Sequence, residues 1–237
     1  HITSKEMKKY ILISAMALGL LATACSEDTE GLTGVTYYAV IELDGPEYMT
    51  APAGTPFVDP GYSATMQGED ITSQVKVTTN MDLQDPKPGY YSIAYSAVNP
   101  DGFSAAKQRY VLVADADDKA SGYYTTTEAT NLNGSNFFGV NACSILVYGT
   151  GKGTYIISDL LGGFYAQVRG YGDAYALKGE VEIAADGTIT LVDSYLQGWG
   201  DSANALTDGK FDAATETMSW TCDYTEYNYL FNVTITK

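Results

Sequence analysis

Residues 179–192 hold the pattern that most restricts the fold. Val181 and Ile183 alternate with Glu180 and Glu182, Ile189 and Leu191 alternate with Thr188 and Thr190, and Asp186-Gly187 lies between the two runs. A period of two belongs to a strand buried on one face, whereas a helix would scatter these apolar residues around its circumference. Asp-Gly between two such runs closes a tight hairpin, because glycine accepts the positive φ the turn requires. Short runs of this kind recur along the chain, and 24 Gly against 7 Pro supply turns without a proline-rich stalk. The expected class is all-β.

Residues 35–114 contain runs at 35–43, 62–66, 75–79, 90–98 and 108–113, a spacing that suits a β-sandwich. In the fourth run Tyr91, Ile93, Tyr95 and Ala97 share one face and Ser92, Ala94 and Ser96 the other, and Asn99-Pro100-Asp101-Gly102 then turns the chain. An acidic linker is expected at 115–119, and a second antiparallel β domain, sandwich or barrel, at 120–237. That second stretch carries 11 of the 20 tyrosines. Its last strands are expected at 217–224 and 229–236, with Met218, Trp220, Cys222 and Tyr224 on one face and Trp220 in the core.

A short echo lies inside the second domain: Gly153-Thr154-Tyr155-Ile156-Ile157-Ser158-Asp159 matches Gly187-Thr188-Ile189-Thr190-Leu191-Val192-Asp193. Counting by twos puts Asp159 and Asp193 on the inward side of their strand ends. Inward carboxylates need partners, either the N–H groups of the turns that follow or a ligand at a pocket mouth lined by both.

Acids outnumber bases 29 to 13, and a net charge of -16 opposes nucleic-acid binding. The single histidine is His1, so Ser-His-Asp triads, Cys-His dyads and HExxH zinc sites are excluded downstream of it. No metal or cofactor is expected, since two thiols without histidine make a poor zinc set. Cys143 and Cys222 share the second domain, and a disulfide and two free thiols both remain open.

From Met7 the chain reads Met-Lys-Lys, then an apolar run over 10–24, then Cys25, which is the layout of a secretory signal too short to span a bilayer. Residues 1–24 are expected to be this signal with its N-terminal remnant. Ala22, Thr23 and Ala24 before Cys25 resemble a bacterial lipobox, although Leu21 sits one position further out than usual. The resemblance implies lipid attachment at Cys25. Ser26-Glu27-Asp28-Thr29-Glu30 then resembles the acidic export signal of Bacteroidetes lipoproteins within a tether over 25–34, which implies a surface-exposed, lipid-anchored place on the outer membrane. Loss of Lys5, Glu6, Lys8 and Lys9 with the signal would take the net charge from -16 to -18.

Phe57-Val58-Asp59-Pro60-Gly61-Tyr62, Glu69-Asp70-Ile71-Thr72 and Gly89-Tyr90-Tyr91-Ser92-Ile93-Ala94-Tyr95 resemble the bacterial immunoglobulin-like surface domain also found in pesticidal crystal proteins. The resemblance implies an immunoglobulin-like sandwich acting as spacer, with Asp59 and Asp70 capping turns. The Tyr-rich remainder, with Gly162-Gly163-Phe164-Tyr165 and a terminal Trp-bearing strand, resembles the C-terminal domain of Bacteroides lipoproteins that carry this module. That likeness implies a fold and a place but no activity. Asp115-Ala116-Asp117-Asp118 faintly resembles the calcium-binding linkers of cadherins, yet three carboxylates fall short of a calcium shell of six to eight oxygens.

Trp199 in Gln197-Gly198-Trp199-Gly200-Asp201 is the leading candidate ligand residue, joined by Tyr165, Tyr171, Tyr175 and Tyr195, with Asp159 and Asp193 as acceptors. Aromatic rings offer flat apolar faces that match the C–H faces of sugars, and neighbouring carboxylates match their hydroxyls. The function expected is glycan binding without catalysis. The alternative is an adhesion or assembly module that binds a surface protein. A glycosidase using Asp159 and Asp193 is the enzymatic reading, set against the structural role that strand-end acids already have.

Overall fold

The structure is a computed structural model, and it describes residues 35–131, 136–137, 143–224 and 229–237. The expected signal, Cys25 and the tether lie outside the described residues. Ala39–Lys237 forms one compact unit.

Its first part has seven strands: β1 Val40–Leu43, β2 Tyr48–Pro52, β3 Tyr62–Met66, β4 Glu69–Asp70, β5 Lys76–Thr79, β6 Gly89–Val98 and β7 Ser104–Ala114. They form two sheets, ordered β1-β3-β4 and β2-β7-β6-β5. Ile93, Tyr95, Val111 and Val113 of the larger sheet pack against Ile41, Leu43 and Tyr62 of the smaller, which is an immunoglobulin-like sandwich core. The face assigned to Ile93, Tyr95 and Ala97 is the buried one. Two expectations need correction. The first strand begins at Val40 rather than Val35. β2 falls where no strand was expected; it runs parallel to β7 at the sheet edge, where Pro52 is tolerated.

Arg109, on β7 with the inward parity of Val111 and Val113, is fully buried. Its guanidinium donates to Asp59, to the Tyr95 hydroxyl at 3.3 Å and to the carbonyls of Asp44 (2.6 Å), Pro46 (3.2 Å) and Gly61 (3.2 Å). Asp59 also accepts the Gly61 N–H at 3.0 Å and the Tyr95 hydroxyl at 2.6 Å, and Asp70 accepts the Thr72 N–H at 2.8 Å. Both acids cap turns, and Asp59 additionally pairs a buried cation. An unpaired buried guanidinium would be far costlier than this arrangement.

The second part contains β8 Gly122–Asn131, β9 Asn136–Phe137, β10 Ser144–Gly151, β11 Thr154–Ile157, β12 Lys178–Ile183, β13 Ile189–Tyr195, β14 Ala203–Asp212, β15 Thr217–Tyr224 and β16 Tyr229–Thr236. Eight of them run in the order β13-β12-β11-β10-β8-β16-β15-β14, every pair antiparallel, with β9 beside β8. The two end strands approach each other through the Thr188–Lys210 bridge and the Phe211 N–H on the Gly187 carbonyl at 2.7 Å. This nearly closes a barrel. Glycine makes the seam possible: a Cβ on Gly187 would stand 2.2 Å from the Phe211 carbonyl oxygen, and one on Gly209 2.4 Å from that of Ile189. The inward residues of β15, Met218, Trp220, Cys222 and Tyr224, fill the core with Ile157, Leu160, Val181 and Phe231. Trp220 is 2% exposed and donates to the Leu160 carbonyl at 2.8 Å, so it is core as its parity requires.

The two β parts meet through tyrosines. Tyr110 stacks on Tyr48 (5.2 Å between centroids) and on Tyr90 (5.9 Å), while Tyr123 and Tyr148 of the barrel meet Tyr90 at 6.4 and 5.9 Å. In the linker, Asp118 accepts the N–H groups of Ala120 (2.9 Å) and Ser121 (3.0 Å), the Ser121 hydroxyl (2.6 Å) and the Tyr155 hydroxyl (3.2 Å). It works as a cap for the first barrel strand. Among the described residues no three acidic, cysteine or histidine side chains converge as a metal site.

Candidate functional site

β11 ends at Ile157, and the chain then leaves the barrel wall until β12 begins at Lys178. Asp159 ties both ends of this excursion. Its Oδ1 accepts the Leu161 N–H at 2.9 Å and the Leu177 N–H at 3.2 Å, and the Leu160 N–H donates to the Leu177 carbonyl at 2.8 Å. The side chain is inward, as expected, and the residue is 2% exposed. Its Oδ2 is buried without a hydrogen-bond partner. Desolvation pushes its pKa up to about 7 against the pull of the Leu161, Leu177 and Gly163 amides.

Within the excursion Gly163, at φ +90°, lets the chain enter a π-helical turn over Phe164–Val168, closed by the Arg169 N–H on the Phe164 carbonyl at 2.9 Å. Gly163 also lies against Cys143, where a Cβ would meet the sulfur at 2.7 Å. Cys143 and Cys222 are both buried free thiols. Burial raises both, Cys222 to about 12, and the Asp159 charge adds to each.

The turn points Phe164 into the core and leaves Tyr165 half-buried at the rim. Tyr171 and Tyr175 follow, and Trp199 arrives from the loop between β13 and β14. Trp199 stands edge-on to Tyr165 (4.7 Å, 88°), Tyr175 (5.0 Å, 69°) and Tyr171 (6.2 Å, 85°). Tyr171 is 52% and Trp199 47% exposed, so the group presents a half-open aromatic surface. The loop is held in place: the Leu196 N–H donates to the Asp201 carbonyl (2.8 Å), the Gly200 N–H to Leu196 (2.8 Å) and the Gly198 N–H to Ala174 (2.6 Å). The Tyr224 hydroxyl donates to Asp201 Oδ1 at 2.7 Å. Gly198 must be glycine, since a Cβ there would meet the Tyr175 ring at 2.5 Å.

Four expected residues thus converge: Tyr165, Tyr171, Tyr175 and Trp199. Three do not join them, and of these Asp159 is buried where it ties the two ends of the excursion. Asp193 is exposed rather than inward, and it accepts the Ser194 N–H at 2.8 Å. A β-bulge causes the reversal: Val181 pairs with Leu191 but Glu180 with Asp193, so Val192 is an extra residue and the parity flips beyond it. Ser194 points inward instead, and its hydroxyl accepts the Ala203 N–H at 2.9 Å. Tyr195, also turned outward, lines a separate pocket of about 450 Å³ with Tyr90, Tyr148, Asp159, Asp173, Lys178 and Gln197. Asp201 and Tyr224 were missed by sequence reasoning, although the inward parity of Tyr224 signalled a hydroxyl in need of an acceptor.

With this arrangement in view, the lipoprotein BT2262 from Bacteroides thetaiotaomicron superposes with a TM-score of 0.73 at 37% identity, over 84% of this chain and all of that one. A family defined on a C-terminal domain matches residues 114–237. The chain belongs to the BT2262 lipoprotein family. Residues 41–113 of this BT2262 relative match the bacterial surface protein Ig-like domain. A search of curated proteins found no match. Two solved structures of Clostridium perfringens ZmpB align in part. One, the M60 catalytic domain with its CBM51-1 and CBM51-2 domains, aligns at TM-score 0.28 and 17% identity over 52% of this chain and 15% of that one. The other, CBM51-2 in complex with GlcNAc and INT domains, aligns at 0.26 and 19% over 50% and 31%. Likeness at that level carries no argument about the BT2262 family.

Proposed function

We propose that this protein captures a glycan at the cell surface, held there by a lipid on Cys25, and that it does so by binding rather than catalysis. The observation that carries the reading is the aromatic surface of Trp199, Tyr171, Tyr175 and Tyr165, half-exposed and mounted on a hydrogen-bonded loop. Rings already held in place lose little freedom when a sugar stacks on them, which favours binding. The paired-carboxylate alternative loses its geometric basis, because Asp193 faces outward while Asp159 is buried.

Native affinity electrophoresis of residues 26–237 tests the reading, in gels cast with xylan, galactomannan, dextran, pullulan, pectin or chondroitin sulfate. The expected result is retardation by one polymer, abolished in Trp199→Ala. Absence of retardation in every gel would move the assignment to a protein partner.

A further inference from the structure

We propose that the pocket at the meeting of the two β parts is a second sugar subsite, and that it extends the Trp199 surface so the ligand is a neutral glycan chain longer than one unit. The proposal rests on the glycan reading above. The pocket, at about 450 Å³, lies in the range of small-molecule sites. Three tyrosine rings, Tyr90, Tyr148 and Tyr195, contribute to its walls. Asp173, Lys178 and Gln197 supply a carboxylate, an ammonium and an amide whose side chains make no hydrogen bond or ion pair with other described residues. Donors and acceptors of both signs beside aromatic rings match a ring of hydroxyls better than they match a single charged group. The net charge of -16 opposes a polyanionic glycan at longer range.

Two segments connect the pocket to the aromatic surface. Asp173 and Tyr175 lie on one short turn, Gln197 and Trp199 on one loop, and the Gly198 N–H binds these segments together at the Ala174 carbonyl. In each segment one residue lines the pocket and its neighbour two positions on joins the aromatic group. Tyr90, from the immunoglobulin-like part, is fixed by Tyr110, Tyr123 and Tyr148, so both parts build the site.

The test titrates oligosaccharides of one to six units, cut from whichever of xylan, galactomannan, dextran or pullulan retards the protein, against wild type, Lys178→Ala, Tyr195→Ala and Trp199→Ala. Lys178 and Tyr195 are exposed, and unchanged thermal unfolding of their variants checks the fold. For wild type, affinity is expected to step up about tenfold or more once the ligand is long enough to reach the pocket. Lys178→Ala and Tyr195→Ala should remove that step and keep the weaker binding of short ligands, whereas Trp199→Ala should remove both. Length dependence identical in wild type and the two pocket variants would overturn the subsite and leave the Trp199 reading standing. Retardation only by pectin or chondroitin sulfate would overturn the neutral class, and no retardation at all would remove both readings together.

Discussion

Asp159 shows how one side chain can hold the two ends of a long excursion together at a cost that depends on pH. Its folded pKa of about 7 lies above the ordinary carboxylate value of 3.8, with desolvation as the cause. The folded chain therefore keeps a proton that the unfolded chain releases. The stabilising contribution is complete below pH 3.8 and is lost as pH rises through 7, at up to about 1.4 kcal/mol per pH unit. Asp159→Asn keeps an acceptor for Leu161 and Leu177 but cannot ionise. Relative to wild type, its melting temperature is expected to rise between pH 5 and pH 8, by about 2–4 °C per kcal/mol recovered. Equal pH profiles for the two proteins would show that Asp159 is not ionising in this range. The inward side of Asp159 was legible from the period of β11. Arg109 was not assigned a role, because its partners lie 50 and 65 residues away. The available signal was a charged residue at the parity of Val111 and Val113.

At the level of elements, the echo that joins β11 and β13 teaches a limit of counting by twos. Both copies start at a glycine of positive φ, Gly153 at +78° and Gly187 at +85°. Only the second strand sits at the seam of the barrel, and only there does a bulge reset the faces. β14 escaped notice for a related reason. Its pairing with β15 shifts register twice, and Asp208 adopts a positive φ of 55°, so its apolar residues never alternate cleanly. The uninterrupted strands β3, β15 and β16 have the expected bounds. Gly209 tests the seam, because a methyl group there collides with backbone and with Ile189 rather than with a yielding side chain. Gly209→Ala is expected to destabilise the protein by about 1–3 kcal/mol, read as a lowered midpoint in urea unfolding. An unchanged midpoint would mean that the seam opens freely.

For the molecule as a whole, local pattern disclosed the class and left the closure undecided. Whether eight strands make a sandwich or a barrel depends on Gly187 and Gly209 meeting backbone 24 and 20 positions away in the chain, which no short-range period encodes. The convergence of Tyr165, Tyr171, Tyr175 and Trp199 was partly legible from their glycine-rich setting. The pocket beside them was not, since Tyr90 comes from the other β part. Five tyrosines, Tyr48, Tyr90, Tyr110, Tyr123 and Tyr148, take the place of a loose hinge.

The buried thiols carry a consequence for the barrel as a unit. Cys143 and Cys222, at 1% and 0% exposure and with ionisation opposed by burial, are shielded from a thiol reagent while the barrel is shut. Each covalent label therefore records an opening event, so the two sulfurs form an internal clock of barrel breathing. Chromogenic disulfide labelling of residues 26–237 is expected to be slow in buffer and to reach two thiols per chain in denaturant. A saturating glycan should slow the clock further if the excursion from Asp159 to Leu177, which lies against Cys143, tightens on binding.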